Sequence, residues 1–311
     1  MTFPTYFNSK KSLKLFNLFE NFKFLKDLYI NNKLPKVLML SGKKGSGKST
    51  LINHLMYYVF NKENYNEKNN SYISNSPFYD KFLNNIFTNI IYLSGSDFKN
   101  IKIEDIRDLK KKIYQTIIYD KPRFTILDDV ELFNNNSLNA LLKIIEEPTK
   151  NNYFILINNK SKPLLETIKS RCLDIKIILN EDKRTNIIES LVDKFKIDLI
   201  FDSKISQLSP GHFIKFNYIF DINKIFLEED YIKNLEKLLN LYKKNKENMF
   251  MDMILFLTDN YFNNLKNKNL FSNVKIIDFK TFVFENINKF YLHNLNPNVL
   301  LNIIKNKITY E

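Results

Sequence analysis

The chain has 311 residues, 44% of them hydrophobic and 26% charged, with a single cysteine and a formal net charge of +13. That length suits about two domains or three small ones, and the composition excludes a largely disordered chain. One cysteine excludes an intrachain disulfide scaffold and a four-cysteine zinc ribbon, so no zinc is expected, and a reducing compartment fits.

The positive charge is almost all lysine, because Arg107, Arg123, Arg171 and Arg184 are the only arginines. Two readings of it stay open: a phosphate-tracking surface, or a coding bias shared with the abundant Asn, Ile, Phe and Tyr. Basic residues matter to nucleic acid when they cluster on one face. No segment reaches the ~18 consecutive apolar residues of a membrane span; the densest run, 249–257, is interrupted by Asp252. The N-terminal residues lack a clean apolar stretch and a small-residue cleavage site. A soluble cytoplasmic protein with no membrane partner is expected.

Three of the five glycines fall within six residues. They follow an apolar run at 36–40 that reads as a buried strand, and they precede 49–60, where Leu51, Ile52, Leu55, Met56 and Val59 recur at helical spacing. Residues 61–89 are polar and Asn-rich, and read as a loop or small insertion. A second strand is predicted at 90–93, a turn at Ser94, Gly95, Ser96 and Asp97, and a helix over 102–116 with Ile103, Ile106, Leu109 and Ile113 on one stripe. A third strand at 124–127 ends in Asp128 and Asp129. The spacing of Leu138, Leu141, Leu142 and Ile145 predicts a helix over 137–147, stopped by Pro148. A fourth strand follows at 153–157, then a short helix ending at Lys169, then a fifth strand at 175–179. Strands alternating with helices argue for a mainly parallel sheet covered on both faces.

Beyond about residue 180 the strand signals fade and helical stripes dominate, among them Leu235, Leu238 and Leu239, and Phe279, Val283, Ile287 and Phe290. The Pro210 and Gly211 pair breaks this helical half. The expected organisation is an α/β domain over 1–178, a small helical domain over 179–224 and an all-α domain over 225–311.

The glycine cluster satisfies the phosphate-binding pattern G-x-x-x-x-G-K-[ST] through Gly42, Lys43, Lys44, Gly45, Ser46, Gly47, Lys48 and Ser49, followed by Thr50, at the required junction of strand and helix. Glycines let successive N–H groups turn toward phosphate oxygens, and the helix N-terminus adds partial positive charge. Lys48 would reach the β- and γ-phosphates, and Ser49 would hold Mg²⁺. Asp128 supplies a carboxylate for the same cation. Asp129 occupies the position of a water-polarising acid.

Residues 135–148 (NNSLNALLKIIEEP) and 154–172 (FILINNKSKPLLETIKSRC) closely resemble the clamp-loader ATPases of bacterial DNA polymerase III, in the AAA+ superfamily. The upstream pieces agree in order, with NNKLPKVLMLSGKKGSGKST around the phosphate loop and IKIEDIRDLKKKI before the acidic strand. The resemblance covers residues 30–180; beyond them it extends by architecture alone. It implies an AAA+ domain, a helical lid and a helical collar through which subunits assemble. It also implies ATP and Mg²⁺ as ligands, gamma/tau and delta types of subunit as neighbours, and a sliding clamp and primed DNA reached through the complex.

Within the family, this chain resembles the delta-prime subunit more than the gamma or tau motor. The motor pattern carries Asp-Glu at the acidic strand end; Asp129 withdraws that carboxylate by about 1 Å, a scale at which misplacement costs up to ~10²-fold in rate. His212 stands where the motor's lid carries an arginine, and a neutral imidazole does not replace a guanidinium fork on a γ-phosphate. The chain ends at 311, without the long extension of tau. The resemblance gives Arg171, in the S-R-C tripeptide, the role of an arginine finger acting in trans on a neighbour's nucleotide, against a plainer role as a helix C-terminal cap. It gives Asn158 the polar sensor position. Cys172 is expected to be a small buried packing residue, and His54 and His293 to be structural or solvent-facing. A delta-prime-type subunit with weak hydrolysis of its own is the expectation; a gamma/tau-type motor, a homomeric AAA+ ATPase and a nucleotide-gated interaction module are the alternatives.

Overall fold

A computed structural model describes residues 4–96, 101–115, 121–267 and 273–309. In chain order the first half runs α1 (Phe19–Ile30), β1 (Val37–Ser41), α2 (Lys48–Phe60), β2 (Tyr65–Asn66), β3 (Ser71–Tyr72), α3 (Pro77–Leu83), β4 (Ile90–Ser94), α4 (Ile103–Tyr114), β5 (Arg123–Asp128), α5 (Asn135–Ile145), β6 (Asn152–Asn158), α6 (Glu166–Lys169) and β7 (Leu173–Lys176). Six helices follow: α7 (Glu181–Phe195), α8 (Pro210–Ile222), α9 (Tyr231–Asn245), α10 (Asn248–Asn267), α11 (Asn273–His293) and α12 (Pro297–Thr309).

The principal sheet has five strands in the order β4-β5-β6-β1-β7, and every pairing is parallel. Alternation along the strands explains why both faces are apolar. On β1, Leu38 and Leu40 join a core with α1 and α2, while Val37 and Met39 turn to a second core with α4, α5 and α6. Side chains two apart share a face, so β1, β4, β5 and β6 each feed both cores. The register brings Ser41 beside Asn158 and Ser94 beside Asp128. The carboxyl ends of β1, β5 and β6 therefore lie along one edge of the sheet, where open α/β folds bind ligands.

Residues 61–89 are more ordered than their polarity suggests. A two-stranded antiparallel ribbon, β2 with β3, and α3, capped by the Ser76 hydroxyl accepting from the Tyr79 N–H, cover the outer side of α2. Their anchors are aromatics: Tyr65, Tyr72, Phe78, Tyr79 and Phe82 are all buried with Tyr57 and Tyr58 of α2. The ribbon strands are two residues long and α3 only seven, too short for alternation or a helical stripe to stand out among the polar residues around them. The fifth strand lies earlier than 175–179. Leu173 to Lys176 pair with β1, and the Ser41 hydroxyl donates to Asp174 at 3.0 Å. Ile178, expected inside the strand, is exposed. Helix α4 ends at Tyr114; the predicted end at Thr116 and the turn residue Asp97 lie outside the described residues.

The described chain divides into two compact units, one of residues up to 197 with 206–214, the other of 198–205 with 215 onward. Residues 179–224, expected as a separate lid, are thus distributed between the two. Pro210 and Gly211, expected to separate helical elements, begin α8, consistent with the preference of proline for a helix's first turn. The second unit is helical. Leu235, Leu238 and Leu239 of α9 and Phe250, Met253, Ile254 and Leu257 of α10 are buried, and Tyr231 meets Thr258 through a hydroxyl pair at 3.0 Å.

Candidate nucleotide site

The phosphate loop leaves β1 at Gly42 and enters α2 at Lys48. Gly47, the residue preceding the helix, has φ 91°, a left-handed conformation that a side chain resists. Gly45 is required for space as well: a Cβ there would meet the Ser209 hydroxyl oxygen at 2.5 Å and the His212 backbone nitrogen at 2.9 Å. The start of α8 sits on the loop through Gly211 N–H donating to the Gly45 carbonyl at 2.9 Å and the Ser209 hydroxyl donating to the Lys44 carbonyl. His212 thus approaches the loop by its backbone.

The Lys48 ammonium is buried and donates to the carbonyls of Gly42 at 2.7 Å and Lys43 at 2.8 Å. Burial lowers its pKa to about 8, against the opposing pull of Asp128, Glu131 and Asp129. Ser49 and Asp128 are in direct contact, the hydroxyl donating to Oδ2 at 2.9 Å, and the Tyr92 hydroxyl donates to the same oxygen at 2.8 Å. Burial first, and then the charge of Asp129, raise the pKa of Asp128. Hydroxyl and carboxylate together form the oxygen donor set that a hard divalent cation takes. Turned loop amides, a buried lysine and a helix N-terminus suit a polyphosphate. The residues present fit a magnesium nucleotide.

Asp129 has a left-handed backbone, φ 51°. Its carboxylate accepts from the Lys44 ammonium at 3.1 and 3.2 Å and from the Asn159 amide at 2.7 Å. Asn159 is the residue the sequence reading missed. Asn158, the expected sensor, turns its side-chain oxygen to the Lys160 N–H at 2.9 Å, while Asn159 reaches Asp129 and, at 3.4 Å, Asp128. Two consecutive asparagines at a strand end point to opposite sides, and only the register decides which faces the acids. Glu131 was also missed: this buried carboxylate accepts from the N–H groups of Asn159 and Ser161 and from the Ser161 hydroxyl. Its place in D-D-V-E-L was the available signal.

Arg171 stands apart from these groups, just beyond α6. Its guanidinium pairs with Glu146 at 2.7 Å and donates to the Thr167 carbonyl at 2.9 Å and the Ser170 hydroxyl at 3.4 Å. Cys172 is half-buried, its thiol donating to the Ile168 carbonyl, and burial raises its pKa to about 12. His54 is fully buried and His293 exposed.

A parallel sheet in the order 5-1-4-3-2 by principal-sheet position, a phosphate loop after its second-from-edge strand and paired acids on a neighbouring strand define a P-loop domain of AAA+ type. Residues 19–180, a little over half of the chain, match the family described as DNA polymerase III, delta subunit. The chain belongs to that family of clamp-loader AAA+ subunits. It is similar to DNA polymerase III subunit gamma of Buchnera aphidicola subsp. Schizaphis graminum (strain Sg), 35% identical over 94 residues that cover 30% of this chain and 26% of that protein. It is also similar to DNA polymerase III subunit delta' of Buchnera aphidicola subsp. Acyrthosiphon pisum (strain APS), 27% identical over 195 residues, 59% of this chain and 60% of that one. The alignments thus span between about a quarter and three fifths of these relatives' lengths. Among solved structures, a DNA polymerase III gamma subunit-related protein from Thermotoga maritima superposes with a TM-score of 0.46 at 17% identity, over 91% of this chain and 96% of that one. Among the described residues no helix is long and apolar enough to cross a membrane.

Proposed function

We propose that this chain is a delta-prime-type subunit of a bacterial DNA polymerase III clamp loader, cytoplasmic and working within a hetero-oligomer that opens the sliding clamp and loads it onto primed DNA. In this reading the gamma/tau-type neighbours hydrolyse most of the ATP. This chain supplies Arg171 to a neighbour's nucleotide, while its own site holds ATP with Mg²⁺ on Lys48, Ser49 and Asp128 and turns it over slowly.

The observation that carries the reading is the setting of Arg171. Its partners among the described residues are Glu146, Thr167 and Ser170, none in the chain's own phosphate loop, and its side chain is 38% exposed. An arginine so held is available to another subunit, where a guanidinium stabilises charge developing in phosphoryl transfer. The test is reconstitution with the cognate motor and delta-type subunits. Arg171→Ala should depress the DNA-stimulated ATPase rate of the complex with assembly intact; an unchanged rate removes the assignment.

A motor reading draws on the complete phosphate loop and the contact between Ser49 and Asp128. Brisk, DNA-stimulated turnover by the isolated chain would favour it over the delta-prime reading.

A further inference from the structure

The phosphate-loop pattern leaves its third position open, and here that position is Lys44, a residue the cradle does not require. Lys44 reaches across to the strand-end acid. Its ammonium lies 3.1 Å from Oδ1 and 3.2 Å from Oδ2 of Asp129. The Asp129 side chain is 4% exposed and the lysine 45%, so a solvent-reachable cation covers a buried anion. Asn159 shares Oδ1 at 2.7 Å and fixes the orientation of the carboxylate. Asp128, the preceding residue, is a second buried acid, and repulsion between the two carboxylates strengthens the demand for a cation at Asp129.

We infer that Lys44 is a lock on Asp129: by pairing with both carboxylate oxygens it withholds from an attacking water the acceptor that the water needs, and so keeps this chain's own site slow. The inference rests on the reading of residues 42–50 as a nucleotide site. A carboxylate orients water through free lone pairs; on Asp129 Oδ1 accepts from both Lys44 and Asn159 and Oδ2 accepts from Lys44, so the cation stands over the carboxylate and leaves one lone pair, on Oδ2. Slow turnover then has a removable cause in addition to the shortened side chain. Lys44 is a positioning residue in this account, acting through Asp129.

Two measurements on the full chain test it. Limited acetylation with an N-hydroxysuccinimide ester, read at Lys44 by mass spectrometry, should run roughly threefold slower in the unaltered chain than in Asp129→Asn, the ratio expected of a half-exposed ion pair. Equal rates overturn the lock. The second uses the assembled complex with the P-loop lysine of every motor subunit replaced by alanine, so that only this chain's site can hydrolyse ATP. Single-turnover hydrolysis at saturating ATP should rise about two- to fivefold in Lys44→Gln, as the same pair is released; an unchanged or lower rate overturns the lock. Equilibrium dialysis with ATP separates the two levels. Absence of binding by both the unaltered chain and Lys44→Gln overturns the nucleotide reading itself, while the acetylation ratio still judges the pairing of Lys44 with Asp129.

Discussion

Glu131 grips the backbone N–H of Asn159 with both carboxylate oxygens, each at 3.1 Å. The residue two beyond Asp129 thereby sets the loop whose side chain returns to Asp129, closing a ring through the acidic strand end and the end of β6. Ser161 adds its N–H and its hydroxyl to the same carboxylate. Because Glu131 is 4% exposed, Glu131→Gln replaces an acceptor by a donor among donors at a site shielded from solvent. A loss of about 1–3 kcal/mol is expected, visible as a lower urea midpoint at unchanged slope. An unmoved midpoint would show that the loop holds without this carboxylate.

Asn158 and Asn159 turn to different partners, Lys160 N–H for the first and the strand-end acids for the second. Asn159→Ala removes the amide that orients Asp129 and should slow hydrolysis at this chain's site by about tenfold, the scale of one lost hydrogen bond to a charged group. Asn158→Ala loses only the bond to the Lys160 N–H and should leave that rate within about twofold, since its contact is local to the turn. The measurement is single-turnover hydrolysis in a complex whose motor sites are inactivated. The reverse order of effects would return the sensor role to Asn158.

This pair also marks where the sequence ceased to be legible. The strand, glycine loop and helix around 37–60 and the acidic end of β5 could be read directly, because glycine scarcity and apolar runs are local signals. So could the alternation of strands and helices that makes the sheet parallel. Which asparagine faces the acids depends on a register set by the Leu40 and Ile157 pairing across β1 and β6, and no local pattern carries that. The covering of α2 was hidden for a different reason: Tyr65 and Tyr72 are buried from a ribbon too short for a period of two to register, and Phe78, Tyr79 and Phe82 from a helix of only seven residues. The role of Glu131 is a relation to a loop 28 residues away, beyond the reach of any spacing rule.

His54 makes acid sensitivity of the first unit measurable. The Ser12 carbonyl, 2.9 Å from Nε2, can only accept, so Nε2 carries the proton and Nδ1 accepts from the Tyr65 hydroxyl at 3.1 Å. Burial lowers the histidine's pKa from 6.5 to about 4. Between those values the unfolded chain binds a proton that the folded chain does not, so stability falls as pH drops from 6.5 toward 4. The loss approaches about 3 kcal/mol from this group. Equilibrium unfolding of the unaltered chain and of His54→Gln across that range should show the variant less stable at pH 7 but shallower in its acid dependence. Parallel pH profiles would assign the acid sensitivity to other groups.

Arg171 can be tested for its shape as well as its charge. In the free chain its pair with Glu146 at 2.7 Å joins side chains 38% and 44% exposed, a setting in which ion pairs contribute about 1 kcal/mol or less. Arg171→Lys keeps a cation beside Glu146, so the unfolding midpoint of the isolated chain should barely move. A lysine is a point charge on a flexible stem and does not present the planar fork that engages two oxygens at once. If Arg171 serves a neighbour's phosphate, Arg171→Lys should therefore depress the ATPase rate of the reconstituted complex nearly as far as Arg171→Ala while the free chain stays as stable as before. If lysine restores the full rate, charge alone suffices and the fork is not what the neighbour reads. If both variants unfold early and the complex fails to assemble, Arg171 acts as the cap of α6 through the Thr167 carbonyl. Stability of the isolated chain and turnover of the complex, measured on the same two variants, distinguish the finger from the cap.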